Sequence, residues 1–258
     1  MIGLRIAAAL IATFLLAPTI VVVGSSFSGG TLPHFPPSDL SLRWYAHALA
    51  QPIFTEAAFN SLWLALAATA IATPLALAAA IAIVRGDFAG KSAVQAVLLA
   101  PLFVPAIVVS LSILLVSARL GIRDIGLRLV AAHVLITMPY LVRTLIASLT
   151  RFDVMLEEAA RTLGASPFTT FRIITLPLIW PGLLAGALFA LVVSFDNVSV
   201  SLFLTSARTN TLPLSILNYV EYNYDPSIAA LSTMLVCLSL LAAVVLERLV
   251  GLRRVVGS

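Results

Sequence analysis

Six apolar runs of membrane-spanning length dominate this 258-residue chain, at residues 6–23, 60–84, 94–117, 126–149, 178–204 and 227–246. A hydrocarbon layer about 30 Å thick takes ~20 apolar residues of helix to cross. Inside it, backbone N–H and C=O groups must be satisfied by protein, which leaves helices or closed barrels. Runs this long exceed barrel strands, so they predict an all-α membrane protein with six transmembrane helices. With 61% hydrophobic and 10% charged residues, the chain is too apolar for a water-soluble domain. Its net charge of +4 does not point to nucleic acid, because the basic residues are scattered singly among apolar helices. The lone Cys237 lies inside the last run, reads as a small buried hydrophobe, and offers neither a disulfide framework nor metal-ligand spacing.

Between the fourth and fifth runs the chain is polar but keeps helical grammar over residues 153–177. Asp153 is placed to cap a first helix, with Leu156, Ala159, Ala160 and Leu163 on one face and Gly164 as a left-handed stop. Ser166 and Pro167 restart it, and Phe168, Phe171 and Ile174 form a short apolar stripe expected to end before Pro177. Glu157 and Arg161 stand four residues apart, the spacing of a surface ion pair.

The positions Glu158, Ala159, Ala160, Gly164, Ile174, Leu176 and Pro177 resemble the EAA loop of bacterial ABC importer permeases. That resemblance implies the type I (MetI-like) permease fold and a cytoplasmic loop docked into a groove of an ATP-hydrolysing subunit. It implies a contact from Glu158 to an arginine of the ATPase; Phe168 and Phe171 either dock beside it or pack onto the permease's own helix ends. The implied partners are a second permease forming a heterodimer, an ABC ATPase dimer, a periplasmic or lipid-anchored solute-binding protein, and membrane lipid. This chain is expected to bind no cofactor, ATP being used by the partner ATPase. Gly90, Lys91 and Ser92 do not end a phosphate loop of its own, since Arg85 stands where the leading glycine belongs.

An intramembrane enzyme is disfavoured, because His34 and His47 lie outside the runs and His133 stands alone in one. A channel or secondary transporter would rely on Asp196 or His133 as a proton relay; a histidine hydrogen-bonded between helices is the preferred reading of His133. Alanines 68, 72, 76 and 80, and then Gly182, Gly186, Ala190 and Ser194, form stripes of small residues suited to close helix packing. Pro101 and Pro105 interrupt the third run. Asp196 is read as a charge within the fifth span, which with Ser194 and Asn197 lines a translocation path or bridges to Arg143.

The first run is expected to be a retained helix, followed by a proline-rich loop whose Trp44 and Tyr45 suit the headgroup layer. The expected division is a first helix and periplasmic loop over 1–56, a core of five helices over 57–250, and a tail over 251–258. With both termini in the cytoplasm, ten of the 15 basic residues fall on that side, as the positive-inside rule requires, in a multi-pass protein of the bacterial inner membrane. Residues 194–240 resemble the second permease of spermidine/putrescine-type importers, which implies a polyamine or related small organic solute. Iron(III), phosphonate, opine or thiamine are the alternatives, and Asn197 departs from the polyamine branch, where a second acidic residue follows the aspartate.

Overall fold

The computed structural model describes residues 2–206 and 209–250, all α-helical apart from turns and isolated bridges. Among these, five helices are long and apolar enough to cross a membrane, and a pair of helices bent by 103° is long and apolar enough only when the two are taken together. In order, the elements are α1 (Ile2–Ser25), α2 (Arg43–Ala50), α3 (Pro52–Arg85), α4 (Lys91–Leu99), α5 (Ala106–Arg119) and α6 (Ile125–Arg151). After α6 come α7 (Met155–Thr162), α8 (Pro167–Thr170), a π-turn (Phe171–Thr175), α9 (Leu176–Phe195), α10 (Val198–Ser201), α11 (Leu212–Tyr222) and α12 (Ser227–Val250). The tail at 251–258 and Arg208 lie outside the described residues.

The chain divides into two compact units. One joins the N-terminal stretch through Phe59 to residues 212–241. Its loop is tied by α2: Trp44 Nε1 and Arg43 Nη2 donate to the Gly30 carbonyl, and the Tyr45 and Ser26 hydroxyls lie 2.6 Å apart. The aromatics expected at the headgroup layer thus also pin the loop. Within the same unit, the Tyr219 hydroxyl donates to Asp225 at 2.6 Å and Phe54 packs edge-on against the Tyr219 ring. Burial pushes the Asp225 carboxyl up, but bonds from Tyr219 and Ser227 outweigh it and hold the group below its ordinary range. The stretch before α12 contains α11, opened by Pro213 in its first turn and burying Leu212 and Leu214.

The other unit holds residues 60–211 and the end of α12. At 34 residues, α3 would be about 50 Å long, well beyond the hydrocarbon thickness. Its alanine stripe is fully buried, and Ala72, Ala76 and Ala80 cluster with Leu141, Leu145 and Leu149 of α6 and Ile179 and Ala190 of α9. Helices α6 and α9 approach so closely that a Cβ on Gly182 would collide with Ser148, and one on Gly186 with Thr144. Both small-residue stripes are packing faces, as expected.

Three expectations about the spans change. The third run, expected as one span interrupted by Pro101 and Pro105, is two helices, since both prolines lack a donor and Pro105 adopts extended backbone (ψ 129°) before α5 restarts. The fifth span stops at Phe195 instead of reaching 204. Cys237, in α12, is exposed rather than buried.

Candidate coupling site

Helix α6 gives way at Phe152 to extended backbone, and Asp153 Oδ1 accepts from the Met155 N–H at 2.9 Å; the N-cap of α7 itself is Val154, one residue after the expected Asp153. At the other end Gly164 takes φ +88°, with Ala165 N–H bonded to the Ala160 carbonyl across the reversal. A Cβ on Gly164 would meet no atom within 4 Å, so only the left-handed backbone demands glycine there. Ser166 then caps α8 by accepting from Thr169 N–H, with Pro167 in the first turn.

The second short helix does not end before Pro177. It runs through the π-turn directly into α9, giving one helical stretch from Pro167 to Phe195. Pro177 has no N–H and its ring crowds the carbonyl four residues back, which the wider turn relieves; Leu176 N–H reaches Phe171, five residues back.

Helix α7 turns its apolar residues outward. Met155, Leu156 and Leu163 are exposed, the last at 88%, and Phe168 is 71% exposed beyond the bend. Glu158 and Ala159 are exposed and Ala160 is half-buried. No side-chain partner engages the Glu158 carboxylate among the described residues. Phe171, Ile174 and Leu176 are half-buried, Leu176 against the α3–α6–α9 core, and Pro177 is exposed. The loop therefore brings an unpaired carboxylate and several large apolar side chains to one exposed segment.

Glu157 behaves differently from its expectation. Instead of pairing with Arg161 on the surface it is buried, with Oε2 3.2 Å from Arg85 Nε and Oε1 accepting from the Thr175 hydroxyl at 2.7 Å. Arg85 in turn lies over the Phe152 ring, 4.7 Å from its centroid. No spacing rule links residues 85, 157 and 175, and the only signal was two adjacent glutamates where the loop pattern calls for one.

At the far end of α9, Asp196 occupies the C-cap and is exposed, so it is not a charge in mid-span. Asn197 caps α10 by accepting from Val200 N–H at 2.8 Å. Ser194 is buried, its Oγ 2.8 Å from His133 Nδ1, while Ser201 Oγ is 3.3 Å from Nε2. His133 is therefore the inter-helix bridge expected of it. Arg143 is no partner for Asp196, because it lies ten positions along α6 from His133, about 15 Å of helix rise away.

The family described as "Binding-protein-dependent transport system inner membrane component" matches residues 72–253, well over half of the chain. The chain belongs to this family. This permease is 35% identical over 237 residues to the spermidine/putrescine transport system permease protein PotC of Haemophilus influenzae, covering 92% of this chain and 91% of the relative. It is 33% identical over 231 residues to the Escherichia coli PotC, covering 90% and 87%. It is also 32% identical over 241 residues to the chloroplastic sulfate permease 2 of Chlamydomonas reinhardtii, covering 87% of this chain and 62% of that one. Among solved structures, a bacterial ABC transporter involved in import of the acidic polysaccharide alginate aligns with a TM-score of 0.72 at 15% identity, covering 96% of this chain and 95% of that one. The MetNI methionine ABC transporter aligns at 0.62 and 19%, covering 77% and 95%. The fold is that of a multi-span, MetI-like permease, and the protein is a membrane subunit of an ABC importer with EAA-type coupling.

Proposed function

We propose that this permease forms one half of a heterodimeric translocation path and that its loop over 153–177 is where an ABC ATPase dimer attaches. The carrying observation is that Glu158 stands exposed, without a side-chain partner among the described residues, beside outward-facing Met155, Leu156, Leu163 and Phe168, where two short helices meet around Gly164. Exposed large apolar residues grouped with a free charge suit a protein interface. On this reading Glu158, Ala159, Ala160, Gly164 and Phe168 meet the ATPase, while Phe171, Ile174, Leu176 and Pro177 join the docking segment to α9. The loop and both termini face the cytoplasm, a leading helix and periplasmic loop occupy 1–56, and the permease core occupies 57–250. A periplasmic or lipid-anchored binding protein delivers the solute.

The solute is a polyamine or a related small organic cation. The PotC relatives support this, as does the exposed carboxylate of Asp196. The sulfate permease relative favours an anion instead. The test is uptake into proteoliposomes by the full transporter with its binding protein, comparing spermidine, putrescine and sulfate. ATP-dependent polyamine uptake is expected to cease when the ATPase is inactivated. Uptake that persists overturns the ATP-driven reading, and transport of sulfate alone overturns the solute.

A further inference from the structure

Helix α7 is eight residues long, and the one residue it buries is charged. Its large apolar residues face outward, so apolar packing does not hold it to the rest of the unit. What holds it is Glu157, on which the ends of three spans converge. Arg85 is the last residue of α3; Thr175 sits in the π-turn that opens α9; Phe152, beneath the Arg85 guanidinium, ends α6. Apolar surfaces slide over one another with little change in energy, whereas an ion pair partly withdrawn from water, here with Arg85 26% and Glu157 10% exposed at the side chain, is favourable over a narrower range of geometry. Such a pair is weak evidence for stability and better suited to specifying one arrangement.

We propose that the Glu157–Arg85 pair is the rigid joint that makes the coupling loop move as one body with the ends of α3, α6 and α9. Glu157 is a positioning residue. Displacement applied at Glu158 and its apolar neighbours passes through Glu157 into three spans together, while the exposed acid beside it stays free for the motor. The inference rests on the reading of this loop as the ATPase attachment, and adds to it a residue that faces the opposite way.

The experiment uses the complete transporter in proteoliposomes and reads ATP hydrolysed per solute imported. Glu157→Gln keeps an acceptor for Thr175 and removes the charge, and Arg85→Gln removes the other partner. Each is expected to raise ATP consumed per solute by about tenfold with the ATPase still co-purifying. The exchanged pair Glu157→Arg with Arg85→Glu is expected to recover most of the loss, which a purely structural defect in either single variant would not. Should the exchanged pair fold poorly, Glu157→Cys with Arg85→Cys in a Cys237→Ser background, joined by a short bifunctional thiol reagent, provides the second route. Uptake at near the unmodified ratio after joining supports a rigid joint, and uptake abolished by joining overturns it. Single variants that couple normally also overturn it. Glu158→Arg is assayed in parallel: if it uncouples while Glu157→Gln does not, only the joint fails, and if Glu158→Arg couples normally, the attachment reading itself fails.

Discussion

The two ends of α9 solve the same problem with different chemistry. At each end a buried polar cluster ties the helix to its neighbours, and beside each cluster stands one exposed acid. At the loop end the cluster is ionic, Glu157 with Arg85 and Thr175, and the exposed acid is Glu158. At the far end it is an imidazole held between hydroxyls, His133 with Ser194 and Ser201, and the exposed acid is Asp196. Between them α9 lies so close to α6 that Gly182 and Gly186 have no room for a side chain. The difference teaches that a span can carry an anchored end and an approachable charge within one or two residues of each other. A loop near water can hold a charged anchor, whereas deeper among helices uncharged hydrogen-bonding groups cost less to bury.

The largest expected effect comes from breaking what joins the two ends. Gly186→Leu forces a side chain into Thr144, and overpacking on this scale costs about 3 kcal/mol. Folded yield by gel filtration and the unfolding temperature should both fall sharply; a normal yield would mean that α6 and α9 are not in such close contact. A smaller effect isolates the far end. Asp196→Asn should lower uptake of a cationic solute about fivefold, the scale of one exposed charge pair near 1 kcal/mol, and leave a neutral solute untouched. Equal loss for both solutes would place Asp196 with the structural groups instead of the approachable ones. The smallest effect tests the loop end. Gly164→Ala meets no neighbouring atom, so it should cost only about 1 kcal/mol of backbone strain, with Gly164→Asn milder. Unfolding temperatures ranked otherwise would show that packing, and not the left-handed turn, demands glycine there.

Much of the loop end was legible from local rules. A left-handed Gly164 and a restart at Ser166 and Pro167 each depend on a few neighbouring residues, and each is present. The small-residue stripes were legible for the same reason, since four-residue spacing places them on one face. The π-turn was not, because Pro177 reads equally as a helix stop or as a wider turn within a continuing helix. Asp196 was misplaced because apolar composition continues past Phe195 although the helix does not.

By itself the sequence determined an all-helical membrane chain, the faces on which its helices pack, and the loop that distinguishes it from other membrane proteins. Length, hydropathy and short-range spacing suffice for these, because lipid demands internally bonded helices and a helix repeats every three to four residues. Only the tertiary structure decided which of two adjacent glutamates is buried and which is free. Arg85 and Thr175 reach Glu157 across 72 and 18 residues of chain, and no periodicity in the sequence records where separate helix ends will meet.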